Sequence, residues 1–463
     1  ALAEASDEGA ADLLAVLQTY LGTTEGVVAV AVDGDAYAVT IDPGILMAVG
    51  GAEGFSGSVS PLNYLVTDNG DGTWAYEMDQ PVTLDYALAE QMSAKTTYGQ
   101  VVMSGTFDEA LGDVSEYHVE INDVVSEQTQ KDLTGEAVIK MTQSGMIWDG
   151  KGEAGDNGVN STFTMTSGEM VYDMAMPAGE GMPPMQITAT VAEGSADGAI
   201  TGYQPAGIYG LIAYFVAHPS EALIKGDMPG LKAATEAALP LFQNLTMTGA
   251  YTGVEVTTMM GGATINEVGV TIDMNGVVAD GKFREAFDLK GLKLTDSLLP
   301  PEIMGLIPSD LSIDFTASGF DLAAAAVLGL GAMDLPVDAP MPETFDAEMM
   351  AAIMPKGTVD ITIAPGTTTA AAYKLTYEGA MAVGPAAPMP VGKARLGLTG
   401  IDQINAALMA SPPEMGLQDM APMLAMAQMM AQPGVDGELV WEIETTATGG
   451  LLVNGQDMMG GGQ

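Results

Sequence analysis

Five methionines lie within eleven positions near the end of the chain, in the segment MAPMLAMAQMMAQPG at residues 420–434. Met420, Met423 and Met426 recur at i, i+3 and i+6 and Met430 follows one turn later, so the spacing predicts a shared helical face. Thioethers on one face are soft ligands that select Cu(I). No histidine accompanies them, and the chain has 34 methionines in all, so packing or apolar binding is favoured over copper.

Histidine occurs only twice, which limits both metal binding and nucleophilic catalysis. His118 alternates with Glu116 and Glu120 on a predicted strand, so the three side chains share a face. Neighbours at i and i+2 are about 7 Å apart, too far for one compact metal site without a cross-strand ligand. We interpret this face as solvated, and we interpret His218 as a helix-capping residue before Pro219.

The segment DNGDG at residues 68–72 resembles part of a calcium loop. In an EF-hand that began at Asp68, positions 3 and 5 would need side-chain oxygens, but here they are Gly70 and Gly72. A hairpin turn is therefore predicted. Asp68 and Asp71 remain weak calcium candidates, and the sequence predicts no cofactor beyond adventitious calcium.

Catalytic motifs are missing from the sequence. There is no cysteine and no Gly-x-Ser-x-Gly segment. The segment GMIWDGKG at 145–152 has Gly152 where a phosphate-binding loop needs Ser or Thr, and strand-like residues follow it. Because the chain has 61 Asp and Glu, pairs of carboxylates are inevitable and carry no information. The sequence predicts a protein that is not an enzyme.

The charge balance excludes several partners. Lys and Arg total 14, and the formal net charge is -47. Nucleic acids are bound through basic residues that neutralise phosphates, so a nucleic-acid partner is excluded, and an anionic membrane surface is disfavoured. The apolar stretch IYGLIAYFVA is too short for a transmembrane helix, which needs about 20 residues.

The Ala-rich start ALAEAS is typical of a chain after removal of a signal peptide. It predicts an exported protein, periplasmic or extracellular; the alternative is a trimmed chain.

Apolar periodicity predicts helices at 8–21, 207–217, 229–242 and 343–353, followed by the methionine segment. Between them, short alternating segments predict an antiparallel meander, with Tyr117, Val119 and Ile121 on one face. The closing segment GELVWEIETTATGGLLVNGQ predicts a strand, a turn and a strand, with Leu439, Trp441 and Ile443 sharing a face. The fold class is therefore mainly β with helices (α+β), with curved sheets covered by a few helices.

The order of helix then meander occurs twice, which predicts two similar antiparallel β-meander halves at residues 1–205 and 206–463. One internal echo supports this interpretation: GMIWDGK at 145–151 against GVVADGK at 276–282. Asp-Gly turns are common in hairpins, so chance is an equal explanation.

The closing segment PGVDGELVWEIETTATGGLLVNGQDM, together with ADLLAVLQTYLG, GTWAYEMDQPVTLDY and LSIDFTASGFDL, resembles alphaproteobacterial envelope proteins of the domain-of-unknown-function family 2125. The resemblance is one of layout and contains no catalytic motif. It implies an exported, β-rich, two-part protein without known chemistry.

Together these features predict a non-catalytic envelope protein that binds an apolar, lipid-like ligand or a protein partner in a groove between sheet and helices. The groove candidates are Met420, Met423, Met426, Met430 and Trp441. The alternative is a structural surface-layer or filament subunit that self-assembles through cations bridging its acidic surface.

Overall fold

The structure is a computed structural model of the 463-residue chain, and it describes residues 4–50, 55–89, 91–132, 135–178, 184–295, 299–336 and 339–458. Strands account for 54% of the residues and helices for 24%, which confirms a mainly β protein. All the strand pairings described below are antiparallel, and helices cover the sheet. Two compact units divide the chain. Unit 1 contains Ala1–Leu245, Val256–Met259 and Gly329–Pro340, and unit 2 contains Thr246–Glu255, Met260–Leu328 and Met341–Gln463.

Unit 1 begins with a helix and continues mainly as strands. Its helices are α1 (Asp7–Leu21), α2 (Pro43–Gly50), α3 (Pro205–Ala217), α4 (Glu221–Gly226) and α5 (Met228–Ala238). Its strands are β1 (Val28–Asp33), β2 (Ala36–Ile41), β3 (Phe55–Val59), β4 (Leu62–Asp68), β5 (Thr73–Leu88), β6 (Met92–Asp108), β7 (Asp113–Asp132), β8 (Gly135–Gly155), β9 (Gly158–Ser167), β10 (Met170–Met176), β11 (Met185–Val191) and β12 (Glu193–Tyr203).

Unit 2 contains the remaining elements, apart from β13 (Asn244–Thr258) and α7 (Leu322–Ala332), which have residues in both units. Its strands are β14 (Gly261–Asn275), β15 (Gly281–Lys290), β16 (Lys293–Thr295), β17 (Pro308–Phe320), β18 (Val359–Ala370), β19 (Lys374–Val383), β20 (Val391–Thr399), β21 (Gln432–Pro433), β22 (Leu439–Thr445), β23 (Leu451–Val453) and β24 (Gln456–Asp457). Its helices are α6 (Pro301–Met304), α8 (Phe345–Ile353), α9 (Ile401–Ala410) and α10 (Ala421–Met430), with 3-10 turns at Pro413–Met415, Leu417–Met420 and Val435–Gly437.

Neighbouring strands of unit 1 are mostly neighbours in sequence. β4 to β9 pair in series, β2 pairs with β1 and β4, β10 lies between β8 and β11, and β12 pairs with β9. Each of β5 to β8 has 16 to 21 residues. Such long strands present two extended faces, which differ in chemistry because successive side chains point to opposite sides.

A line of irregular positions crosses these long strands. The register shifts between Gln80 and Val82 of β5. On the next strands the pairing of β6 with β7 passes over Gly99 and Asp123, and the pairing of β7 with β8 passes over Asp123 and Ser144. Asp123 has a φ of 52°, and a Cβ on Gly99 would lie 2.8 Å from the Asp123 Cβ, so glycine is required there. Extra residues of this kind bend strands and increase their twist.

The bulges also keep apolar residues on one face. Val101 and Val124, on opposite sides of the line, are 7% and 4% exposed. Without the inserted residues the alternation would turn one of these segments toward solvent. The predicted face of Tyr117, Val119 and Ile121 is therefore extended past the bulge by Val124.

Helix α1 confirms the first predicted helix and packs on β1 and β2. Ser6 caps it by accepting a hydrogen bond from the Gly9 N–H. Ala10 is buried against Tyr37 and Val39, and Leu13 and Leu17 pack beside them.

The other predicted helices are also found, with shifted ends. The segment predicted at 229–242 ends at Ala238, and helices α7 and α9 were not predicted.

The similar sequences at 145–151 and 276–282 adopt different secondary structure. Asp149 and Gly150 lie inside β8, whereas Asp280 lies in the turn between β14 and β15. A Cβ on Gly150 would collide with the Tyr117 ring, so this glycine serves cross-strand packing and no turn. The predicted division at residue 205 stays a prediction.

Unit 2 also consists of antiparallel neighbours. β14, β15, β17, β18, β19, β20, β22 and β23 pair in that order. Leu439, Trp441 and Ile443 face Leu398, Leu396 and Ala394 of β20, as their predicted common face requires. Helices α9 and α10 occupy the connection from β20 to β22.

Candidate functional site

The connection from β20 to β22 carries a set of exposed methionines. Along α9, the 3-10 turns and α10, six methionine side chains are between 40% and 81% exposed. We call these residues the methionine surface: Met409, Met415, Met420, Met423, Met426 and Met429. Exposed apolar side chains are ordinary singly, but a group of them marks an interaction site.

Burial varies along helix α10 with a period of three residues. Ala421, Leu424, Ala427 and Met430 recur every three residues and are half-buried. Pro422, Met423, Met426 and Met429 are exposed. Met430 follows Met423 by seven positions and Met426 by four, so it keeps the predicted helical spacing, but it is half-buried whereas Met429 is 81% exposed. Met420 lies in the preceding 3-10 turn and not in α10.

Two side chains of the closing strands donate hydrogen bonds to backbone carbonyls of α10. The indole Nε1 of Trp441 donates a hydrogen bond to the Ala427 carbonyl at 2.9 Å. The Asn454 amide donates to the Met430 carbonyl at 2.7 Å and to the Val440 carbonyl at 3.0 Å. Trp441 is therefore a half-buried support of the helix that carries the methionines.

The start of β22 is fixed by an ion pair. Glu438 accepts hydrogen bonds from Arg395 Nη2 at 2.7 Å and Thr376 Oγ1 at 3.1 Å, and its side chain is 16% exposed. The Arg395 guanidinium, with a smaller contribution from Thr376, lowers the pKa of the Glu438 carboxyl. Glu438 passes over Gly397, where a Cβ would collide with the carboxylate. These contacts position the strand that supports α10.

The calcium candidates and the other possible metal ligands can be compared with the positions of side chains in the described part of the chain. No group of three or more His, Asp or Glu side chains in these residues could hold a metal ion. The weak calcium candidates lie in the turn between β4 and β5, which confirms the predicted hairpin. Asp68 Oδ1 accepts from the Gly70 N–H, and Asp71 Oδ1 accepts from the N–H and hydroxyl of Thr73. The hydrogen bonds from Thr73 lower the pKa of Asp71. Both carboxylates therefore already accept hydrogen bonds within the turn.

On one face of the unit 1 sheet, His118 of β7 lies beside an aspartate that the sequence could not indicate. The Nδ1 of His118 lies 2.7 Å from Oδ1 of Asp149 on β8. Ser104 lies opposite His118 on β6, the other neighbouring strand. The three residues line an open cavity of about 510 Å³, together with Glu116 and Lys151. Only the strand register unites them, and no motif encodes it.

The order Ser, His, Asp across three strands is that of a nucleophilic triad, but its environment is aqueous. The side chains of His118 and Asp149 are 40% and 56% exposed, so the ion pair contributes little. Triad chemistry depends on a preorganised site that excludes water. The row is thus a solvated strand face, as predicted, with a cross-strand partner for the imidazole.

The second histidine caps helix α3. The Nδ1 of His218 lies 2.8 Å from the Tyr214 carbonyl oxygen, and its ring stacks on Tyr214 at 4.1 Å between centroids. The predicted capping role is confirmed.

The opposite face of the unit 1 sheet is aromatic: Tyr117 and Phe163 are half-buried, and Trp148 is 39% exposed. Tyr117 and Trp148 meet edge to face at 6.2 Å, as do Trp148 and Phe163. Tyr209 of α3 donates a hydrogen bond to Asp113 of β7 at 3.1 Å. Burial raises the pKa of Tyr76 to about 12 and also raises that of Tyr209. These tyrosines remain neutral near pH 7 and act in packing.

Comparison of the chain with family models, with curated proteins and with solved structures gave no match. Among the described residues, no helix has both the length and the apolar character needed to cross a membrane.

Proposed function

We propose that the protein is a non-catalytic binding protein of the cell envelope, and that it binds an apolar, lipid-like ligand or a protein partner where helices lie on its sheet. The methionine surface is the contact region in this proposal. The observation that carries it is the exposure of Met420, Met423, Met426 and Met429, at 50%, 66%, 53% and 81%.

Two properties of this region support binding over simple packing. Methionine is flexible and polarisable, and it adapts to apolar ligands of different shape. The helix that carries it is held by hydrogen bonds from Trp441 and Asn454 to its backbone. A fixed backbone with adaptable side chains lowers the entropic cost of binding.

The absence of catalysis is part of this proposal. The row of Ser104, His118 and Asp149 lies on an exposed strand face, and the chain contains no cysteine. The proposed location is the periplasm or the cell exterior, and membership of the domain-of-unknown-function family 2125 is proposed on the layout alone.

We also propose that the two meander regions are similar curved halves. In support, both units have consecutive antiparallel strands with register shifts, as between Gln80 and Val82 and between Ile363 and Gly366. Curved sheets of this kind leave a concave face on which an apolar groove can form.

An apolar photoreactive probe tests the binding site. A diazirine-bearing fatty acid should label peptides from residues 409–430, as mapped by mass spectrometry, and Met423→Gln with Met426→Gln should abolish that labelling. Met259→Gln is the matched control, because Met259 is 69% exposed in unit 1. Labelling that is absent, or that survives the double variant, refutes the proposal for this surface.

The acid excess favours a second candidate, a surface-layer or filament subunit bridged by divalent cations. The 14 Lys and Arg cannot neutralise 61 Asp and Glu, so divalent ions relieve self-repulsion. Size-exclusion chromatography with calcium and with chelator tests it. Calcium-dependent polymers favour the subunit, and a monomer in both conditions refutes it.

A further inference from the structure

We infer that the occupant of the methionine surface is a basic amphipathic helix of a partner protein. The inference rests on the proposed function, because it requires that this surface binds an apolar face. It adds the sign of the partner's charge and the form of the partner's recognition segment.

The apolar part of the match is the uncharged stretch between Asp419 and Asp436. This stretch contains the outward methionines of α10 and Val435, which is 78% exposed. Amphipathic helices bind apolar surfaces through side chains at i, i+3, i+4 and i+7. Methionine surfaces suit them, since flexible thioethers repack around different apolar side chains.

The charged part of the match is an acidic rim, by which we mean the acids that flank the methionines in the sequence. From residue 396 to the end of the sequence there is no Lys, Arg or His, whereas the acids in the same range are Asp402, Glu414, Asp419, Asp436, Glu438, Glu442, Glu444 and Asp457. Glu438, Glu442 and Glu444 pair with Arg395 or Lys393.

Four of the other acids are available to an external partner. Asp402, Glu414, Asp419 and Asp436 are exposed, and none of them forms an ion pair with another residue in the described ranges. An apolar centre with an unpaired acidic rim is complementary to a helix that has apolar side chains on one face and Lys or Arg beside them.

Charge also decides against two other occupants. A second copy of the chain would bring another net charge of -47 to the same rim. An anionic bilayer would be repelled in the same way. Basic residues in the partner remove this repulsion and also accelerate association.

Three synthetic helical peptides separate the two parts of the match. The first has a leucine face and lysines on the other side, the second has glutamates in place of the lysines, and the third has serines in place of the leucines. Fluorescence anisotropy should give saturable binding of the first peptide. The second and third peptides should bind at least about tenfold more weakly.

Two double variants of the full chain localise the binding. Met423→Ser with Met426→Ser should weaken the lysine–leucine peptide about tenfold or more, because several buried methylenes are lost. Asp419→Asn with Asp436→Asn should weaken it severalfold and reduce its dependence on salt. The controls are Met259→Ser, and Asp12→Asn with Asp35→Asn, which removes equal charge from exposed sites in unit 1. Neither control should change the affinity.

The outcomes distinguish the inference from the proposed function. If the glutamate peptide, or phosphatidylcholine vesicles, bind as tightly as the lysine–leucine peptide and the methionine variant weakens them, the basic partner is refuted and apolar binding stands. If the methionine variant changes no affinity, both are refuted. Stronger binding to phosphatidylglycerol vesicles than to the lysine–leucine peptide would also overturn the inference.

Discussion

Methionine side chains are buried in the unit 1 sheet, on the face that carries Val119, and exposed on the methionine surface of unit 2. Met78 lies in the middle of β5, opposite Met103 of β6, and is 4% exposed. Met423 lies on α10 and is 66% exposed. The first is turned inward by the strand alternation, and the second is turned outward by the helical period. Methionine content therefore indicates an apolar residue but not its role.

The largest effect on the free energy of unfolding is expected where a methionine side chain lies in the core. Met78→Ala should lower the free energy of unfolding by about 3 kcal/mol, because it removes a buried side chain and leaves a cavity. Met78→Leu, which keeps the volume, should cost less than about 1.5 kcal/mol. Chemical denaturation followed by tryptophan fluorescence measures both. An alanine variant as stable as the leucine variant would contradict the assignment of Met78 to the core.

The next largest effect on stability is expected at the ion pair between Glu438 and Arg395, which positions the start of β22. Glu438→Gln should cost about 2 kcal/mol near pH 7, because it removes a charge-assisted hydrogen bond to Arg395. The folded pKa of Glu438 lies below its usual value, so its stabilising contribution is complete above about pH 4.3 and is lost as the pH falls through the folded pKa. The stability difference between the chain and the variant should be constant from pH 6 to 8 and shrink in acid. A difference that grows in acid would contradict this role.

The support of α10 should contribute less. Trp441→Phe keeps an aromatic ring but removes the donor to the Ala427 carbonyl, so it should cost about 1 kcal/mol. Hydrogen exchange measures where the cost falls. Faster exchange confined to residues 421–430 is expected, and uniform change across unit 2 would show that the hydrogen bond does not hold the helix.

The smallest effect on stability is expected at the methionine surface itself. Met423→Ala should change the free energy of unfolding by less than about 0.5 kcal/mol, because the side chain is exposed. The same denaturation assay used for Met78→Ala measures it. A cost above 1 kcal/mol would place Met423 in a packed environment and remove the difference on which the proposed function depends.

Much of the architecture could be predicted from local patterns. The periodic leucines of residues 8–21 predict α1, and the alternation around Tyr117 predicts β7 and its apolar face. The glycines and acidic or amide residues of DNGDG predict a turn, and Gly70 and Gly72 adopt the positive φ that glycine tolerates. These signals are local, since each depends on side chains a few positions apart.

Other features of the molecule are decided by distant contacts. Asp149 and Gly150 have the composition of a turn but lie inside β8, because Gly150 makes room for Tyr117 on the neighbouring strand. Met430 has the helical spacing of Met423 and Met426 but is half-buried, whereas those two side chains are exposed. His118 acquires Asp149 as a partner only through the register of β7 and β8.

The sequence by itself determined the mainly β class, the acidity, the lack of thiol chemistry and the concentration of methionine before the closing strands, because composition and short-range periodicity encode them. Only the tertiary structure decided which methionines are buried and that Trp441 supports α10. It also decided that Asp402, Glu414, Asp419 and Asp436 form no ion pair with another described residue. Those properties depend on which strands and helices meet, and that is set by packing between residues far apart in the chain.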